Sequence, residues 1–146
     1  MSLYNSTFSP AKINLFLKVD KKRFDGFHNI ESRFQLINLF DEITIKKTNN
    51  KNISLRSNVK DKSFLNKNII LDSFFKLQEA VDEDLGCEVT VIKNIPMGAG
   101  LGGGSSNAAS TLVGLNDLFK LNLSRIELTQ LGAELGADIP FFINGE

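Results

Sequence analysis

The chain has 146 residues, 42% of them hydrophobic, and its 17 Lys plus Arg are balanced by 17 Asp plus Glu. This length predicts one domain, residues 1–146, with enough apolar sequence to fill a core. Zero net charge and a pI near 6.6 argue against nucleic acid as a partner. A single cysteine excludes an internal disulfide, and no apolar run is long enough to span a bilayer, so we expect a cytoplasmic protein without membrane contact.

The first third of the chain predicts strands. Apolar and polar residues alternate over residues 11–19, which is the period of a half-buried strand and places Lys12 and Asn14 on one face, opposite Ile13 and Leu15. Further strands are predicted over residues 30–39, 43–45 and 53–55.

The rest of the chain mixes helices and strands. Apolar residues at helical spacing predict a helix from residue 69, with Asn66 or Asn68 as N-cap and Gly86 at its end. A strand with a buried Cys87 follows, then a glycine-rich loop, an apolar helix over residues 108–115, and a helix from the capping box at Ser124 to Gly136. This order indicates an α+β fold. Residues 141–146 are predicted to form a core strand, and so abrupt an ending suggests the front part of a longer chain, the alternative being a natural terminal strand.

Five of the eleven glycines lie between Gly98 and Gly104. So dense a cluster is costly in conformational entropy unless the backbone must approach a ligand closely. The loop joins a strand to a helix N-terminus, where free N–H groups attract anions, so a phosphate is the predicted ligand. No charged residue occurs over residues 94–116, so we expect Mg²⁺ to accompany the phosphates, with Ser105 or Ser106 as its hydroxyl ligand. The alternative is a flexible loop whose serines cap a buried helix.

Three known phosphate loops do not fit this segment. A P-loop needs a lysine in its G-x-x-x-x-G-K-[ST] motif, and none is present in the loop or directly after it. A Rossmann unit needs a parallel strand after the helix, whereas the next predicted element here is another helix. The glycine-rich loop of a protein kinase is followed by a strand that carries a lysine and, later, by an H-R-D motif, and neither is found here.

The loop, residues 96–108, resembles the P-x-x-x-G-L-G-S-S-A motif of the GHMP superfamily of small-molecule kinases. Three more blocks, residues 10–17, 25–28 and 135–141, narrow the resemblance to the members that phosphorylate the 2-hydroxyl of 4-diphosphocytidyl-2-C-methyl-D-erythritol with ATP in isoprenoid biosynthesis. It implies a fold like ribosomal protein S5 domain 2. It also implies a chain about twice as long, with a C-terminal half that is missing here. Its expected ATP-binding residues are Pro96, Met97, Gly98, Ala99, Gly100, Leu101, Gly102, Gly103, Gly104, Ser105 and Ser106.

The same resemblance assigns the catalytic pair. Asp138 matches the catalytic aspartate, which would accept the proton of the attacking hydroxyl, and the alternative is a loop carboxylate that caps local N–H groups. Lys12 matches the active-site lysine and would stabilise charge on the transferred phosphoryl group. Asn14 would bind substrate hydroxyls or be a simple edge-strand amide. Ser106 is the expected Mg²⁺ ligand.

Four more residues receive binding roles. Phe27 would stack on the cytosine, in a position where the family typically has Tyr. His28 would contact the same ring. The alternative for His28 is an ordinary turn residue. Asn68 would lie near the adenine or cap a helix. Lys93, just before the loop, is a possible nucleotide contact. The other phenylalanines are expected in the core.

Two other functions stay open from the sequence. One is a different GHMP kinase, for example for homoserine or mevalonate, which the Asp-Gly-Phe-His block disfavours. The other is a nucleotide-binding module without catalytic activity.

Overall fold

A four-stranded sheet and five helices make up the computed structural model, which describes residues 2–145. The strands are β1 (Tyr4–Lys22), β2 (His28–Lys47), β3 (Ile53–Ser57) and β4 (Cys87–Ile92). The helices are α1 (Lys62–Asn66), α2 (Ile69–Val81), α3 (Gly103–Phe119), α4 (Arg125–Leu135) and α5 (Ile139–Asn144). The strand order is β1-β2-β4-β3, antiparallel except for the β3–β4 pair. The predicted α+β class is confirmed.

The core lies between the sheet and helices α2 and α3. Alternate residues of β2 and β4, among them Ile43, Ile45, Val89 and Val91, are fully buried against apolar side chains of both helices. Phe74 in α2 is the largest of these buried side chains. Cys87 is also buried, as predicted, and burial raises the pKa of its thiol to about 12. The thiol is therefore protonated at neutral pH and is a poor nucleophile.

Helix α4 begins and ends where the sequence predicts. The Ser124 hydroxyl accepts a hydrogen bond from the N–H of Glu127, and the Glu127 carboxylate accepts one from the N–H of Ser124. Gly136 is the C-cap. The predicted end of α2 is wrong by a few residues, because Asp82 in the left-handed conformation already terminates it. Gly86 serves instead as a close-contact position, since a Cβ there would lie 2.0 Å from the carbonyl oxygen of Asn50.

The last predicted strand is a helix. Residues 139–144 form α5, with Pro140 in its first turn and Gly145 as its left-handed C-cap. A short apolar run has no period that separates a strand from a buried helix, and here the proline and glycine favour the helix. Glu146, the last residue of the predicted strand, lies outside the described residues.

The long strands β1 and β2 extend beyond the helices as a hairpin arm, residues 13–33. The predicted strands over residues 30–39 and 43–45 are one continuous strand, and β1 begins earlier than predicted, at Tyr4. The apolar residues of the strand predicted to be half-buried are exposed on this arm: Ile13, Leu15, Leu17 and Val19. The prediction that the remaining phenylalanines are core residues is wrong for Phe8, Phe16, Phe24 and Phe75, which are exposed.

Candidate active site

The glycine loop presents backbone N–H groups at the start of α3. Gly98, Gly100 and Gly102 have φ angles of 71°, 75° and 70°, a left-handed conformation that favours glycine. Gly102 is the N-cap of α3 and no side chain caps the helix, so the alternative in which a serine caps the helix does not hold. Both serines lie inside the helix instead. The first N–H groups of a helix have no partner within it, and alternating backbone conformations gather such groups into an anion-binding concavity.

A cavity of about 450 Å³ opens over this loop. This volume is within the range of small-molecule sites. Its lining contains every predicted ATP-binding residue except Ser106: Asn68, Lys93, Pro96, Met97, Gly98, Ala99, Gly100, Leu101, Gly102, Gly103, Gly104 and Ser105. Phe64, Lys67, Ile69 and Asn107 complete it. The loop and the start of α2 thus form one recess with a backbone-rich floor.

Lys12 lies against the outside of this recess and is buried. Its backbone N–H donates to the carbonyl of Leu101 at 2.9 Å, which joins β1 to the glycine loop. Its ammonium donates to the Asn14 amide oxygen at 2.6 Å and lies 4.3 Å from the centre of the Phe34 ring. The predicted shared face of Lys12 and Asn14 is confirmed, and these contacts fix the direction of the ammonium.

Asp138, near the C-terminal end of the sequence, lies beside Lys12 in the fold. The carboxylate lies 3.9 Å from the Lys12 ammonium, and 38% of the side chain is exposed. Asp138 is the N-cap residue of α5, but its side chain accepts no hydrogen bond from an N–H group of the helix. The alternative role of a capping carboxylate is therefore wrong. The carboxylate therefore keeps free acceptor capacity beside a cation.

Aromatic rings hold α5 at this position. Phe141 packs edge-on against Phe34 with ring centres 5.1 Å apart, and Phe142 packs against Phe141 at 5.2 Å. Phe142 also lies beside Gly102, where a Cβ would approach its ring to 2.9 Å. Such edge-to-face pairs are favourable beyond their buried area. One aromatic cluster thus contacts the lysine, the helix of the aspartate and the glycine loop.

The remaining predicted nucleotide residues have defined structural partners. The Asn68 side chain accepts from the Ile70 N–H at 2.9 Å, so it caps α2 while also lining the cavity. Lys93 lines the cavity too, but its ammonium contacts Asp41 and Asn107. Ser106 is buried, and its hydroxyl accepts from Ser9 at 2.8 Å, whereas Ser105 lines the cavity. Of the two serines, Ser105 is the one placed to reach a ligand.

Phe27 and His28 lie away from this centre, at the tip of the hairpin arm. Phe27 is 71% exposed, and its N–H donates to the Asp25 carboxylate at 3.1 Å. His28 pairs with Lys22, and Phe34 pairs with Asn14. The six-residue separation of His28 and Phe34 corresponds to roughly 20 Å of strand. The predicted base-binding residues are therefore on the same hairpin as Asn14 but are not part of the Lys12–Asp138 centre.

Asp41, Asn107 and Phe34 belong to the site and were missed by sequence reasoning. A signal for Asp41 was available, because a carboxylate between apolar residues of one strand is rarely buried without a partner. Asn107, a polar residue at the start of an apolar helix, offered a similar signal. Phe34 offered no such signal, because no feature of the neighbouring sequence indicates which phenylalanine will contact a lysine.

The family model for the GHMP kinases N terminal domain matches residues 68–146, more than half of the chain. The chain belongs to the GHMP kinase family. Among the curated GHMP relatives, the 4-diphosphocytidyl-2-C-methyl-D-erythritol kinase of Shewanella piezotolerans is 47% identical over 94% of this chain and 48% of its own length. The enzyme of the same name from Prochlorococcus marinus is 49% identical over 94% of this chain and 44% of its own. The chain spans about half the length of these relatives.

Solved structures of two small-molecule kinases share the fold. A crystal structure of 4-(cytidine 5'-diphospho)-2C-methyl-D-erythritol kinase superposes with a TM-score of 0.81 at 33% identity, over 97% of this chain and 49% of the other. Homoserine kinase from Cytophaga hutchinsonii superposes with a TM-score of 0.67 at 19% identity, over 100% of this chain and 44% of the other. The second match shows a common fold alone.

Proposed function

We propose that this chain forms the nucleotide-binding part of an ATP-dependent kinase that phosphorylates the 2-hydroxyl of 4-diphosphocytidyl-2-C-methyl-D-erythritol. The observation that carries the proposal is the Lys12–Asp138 pair, 3.9 Å apart, beside a recess lined by the glycine loop and the start of α3. The names of the relatives and the Asp25-Gly26-Phe27-His28 block support this substrate. A cytoplasmic location fits the single reduced cysteine and stays a prediction.

In this proposal the recess binds ATP. The N–H groups of Gly103, Gly104 and Ser105 at the start of α3 receive the phosphates, because helix N-termini attract anions. The start of α2 and Asn68 border the other side of the recess, where the base would lie. Phosphoryl transfer depends mainly on positioning and electrostatics, so a rigid backbone cradle supplies what the reaction needs.

Each member of the pair has one role. Asp138 accepts the proton of the attacking hydroxyl, for which its uncapped, partly exposed carboxylate has free acceptor capacity. Lys12 stabilises charge on the transferred phosphoryl group and, through its hydrogen bond to Asn14, fixes the position of that amide.

The residues of the recess fit Mg²⁺ bound mainly to the nucleotide. Within residues 2–145 there is no cluster of three or more His, Cys, Asp or Glu that could hold a metal ion by itself. Mg²⁺ commonly takes most of its ligands from water and substrate phosphates. Ser105, rather than the buried Ser106, would supply the protein hydroxyl. The ion would neutralise phosphate charge in a recess where Lys93 is already paired.

The hairpin arm would bind the cytidine end of the substrate. Phe27 offers an exposed ring at the tip, with His28 next to it. The roughly 20 Å of strand between the tip and Asn14 is the distance that an extended diphosphocytidyl substrate has to bridge.

The test is an assay of the full-length protein that contains this chain. ATP-dependent phosphate transfer is measured to 4-diphosphocytidyl-2-C-methyl-D-erythritol, homoserine and mevalonate. We expect transfer to the first alcohol only. Transfer to one of the others would assign a different GHMP kinase, and ATP binding without transfer would assign a non-catalytic module.

The role of Asp138 is tested in the same protein. Asp138→Asn keeps the shape but removes the base, so we expect kcat to fall roughly 10²- to 10⁴-fold while both substrates still bind. The control is Asp84→Asn, which removes an exposed carboxylate that pairs with Lys51 at 2.7 Å. A near-normal rate for Asp138→Asn would exclude Asp138 as the base.

A further inference from the structure

A buried carboxylate lies beneath the glycine loop. Asp41, in β2, is fully buried. One of its oxygens accepts the backbone N–H groups of Asn94 at 2.7 Å and of Ile95 at 2.9 Å. These two residues are the last before the loop. The loop entrance is therefore attached to the carboxylate through its backbone.

The second oxygen of Asp41 holds the loop exit. It accepts from the Asn107 amide at 2.9 Å and contacts the Lys93 ammonium. Lys93 also donates to the Asn107 oxygen at 3.0 Å, which closes a ring of three side chains. Asn107 donates onward to Ser9 at 3.1 Å, and Ser9 donates to Ser106. Both ends of the loop thus meet at one carboxylate.

Stability alone gives a weak reason for this arrangement. A buried ion pair loses its hydration, and apolar residues of similar volume often stabilise a core as well or better. The β2–β4 ladder and the apolar core already join these elements without the pair. A carboxylate with four donors does, however, fix the distance and direction of the segments that donate to it. The segments fixed here are the two ends of the loop.

We propose that Asp41 is a positioning residue that sets the glycine loop in its phosphate-binding conformation before ATP arrives. The proposal rests on the proposed function, because it concerns the same nucleotide recess. Asp41 contacts no ligand in this account and acts through Asn94, Ile95 and Asn107. If only a fraction of the molecules has the loop in the binding conformation, the apparent affinity for the ligand falls in proportion to that fraction.

One substitution separates the positioning role from simple electrostatics, because the two predict opposite changes in ATP affinity. Asp41→Asn removes a negative charge near a phosphate site and leaves Lys93, at the cavity wall, without its counter-ion. Electrostatics alone then predicts tighter ATP binding. The positioning role predicts weaker binding, because the new amide group faces the ammonium of Lys93 and the amide of Asn107, which are both donors.

The experiment uses the full-length protein, with ATP affinity measured by calorimetry and loop mobility by hydrogen exchange without nucleotide. For Asp41→Asn we expect an ATP Kd raised roughly tenfold or more, faster exchange over residues 98–105 and unchanged exchange in β4. Asp84→Asn is the matched control and should match the wild type. Unchanged or tighter ATP binding, or weaker binding with unchanged loop exchange, would overturn the proposal.

A second variant covers the case in which Asp41→Asn does not fold. The double variant Asp41→Asn/Asn107→Asp retains one buried carboxylate for Lys93 and a hydrogen bond between positions 41 and 107. We expect its loop exchange, without nucleotide, to be close to that of the wild type. A folded double variant with a fast-exchanging loop would contradict the proposal. If the wild type itself fails to bind ATP, the proposed function is wrong. If it binds and Asp41→Asn binds equally well, only the positioning role is wrong.

Discussion

Strands β1 and β2 stay paired along their length, yet their two halves have opposite environments. Under helices α2 and α3, β2 contributes fully buried residues such as Ile43 and Ile45. On the hairpin arm, apolar residues such as Leu17 and Ile30 are exposed. The polar Lys12 is buried at the junction because Phe34 and Asn14 receive its ammonium. Alternation in a sequence therefore identifies a strand, but the packing of other elements decides which residues are covered.

The largest expected effect is a difference in unfolding free energy between alanine substitutions at two isoleucines of β2. Ile45→Ala removes a fully buried side chain of β2 and should cost about 2–5 kcal/mol of unfolding free energy. Ile30→Ala removes one that is 63% exposed on the hairpin arm, so its cost should stay within about 0.5 kcal/mol. Urea unfolding of both variants beside the parent chain measures the difference. A cost near 2 kcal/mol at Ile30 would show that another segment covers the arm.

A smaller effect is expected from filling the glycine recess. Gly104 lines the cavity, and a Cβ there meets nothing within 4 Å. Gly104→Val should thus raise the KM for ATP roughly tenfold or more by occupying phosphate space without unfolding the protein. Gly103→Ala is the contrast, because its Cβ would lie 3.1 Å from Ile95 and Lys93 and should lower the melting temperature instead. Unchanged ATP affinity for Gly104→Val would mean that the phosphates bind elsewhere.

The smallest effect is expected at the tip of the arm. Phe27→Ala removes an exposed ring and should raise the KM for the diphosphocytidyl substrate by several-fold to tenfold, with the KM for ATP and the melting temperature unchanged. Phe24→Ala, at the same tip and likewise on an exposed ring, is the matched control. Equal effects of the two substitutions would mean that the tip does not recognise the base.

Much of the fold follows from local sequence signals. The capping box at Ser124 and the alternation around Cys87 lie within a few residues of the structure they predict. Residues 141–143 misled the prediction because three consecutive apolar residues have no period, and the helix there depends on Pro140 and Gly145. The exposed phenylalanines show the same limit, because a ring in a strand carries no mark of what will lie over it.

The candidate site divides in a similar way. The glycine loop is visible as a local cluster, and the resemblance to GHMP kinases indicates Lys12 and Asp138, which the structure brings within 3.9 Å. The contacts of Asp41 were not visible, because its partners Lys93 and Asn107 are 52 and 66 positions away. Local patterns can suggest that a buried polar residue needs a partner, but only the folded chain identifies it.

The aromatic contact between Phe34 and Phe141 makes the geometry of the two charged groups interdependent. The same ring of Phe34 touches both the ammonium of Lys12 and the helix that carries Asp138. A smaller residue at either aromatic position would tilt α5 and change the distance between acid and amine without altering either one. In related chains, substitutions at these two positions should therefore be correlated, so that a change of residue at one is accompanied by a compensating change at the other.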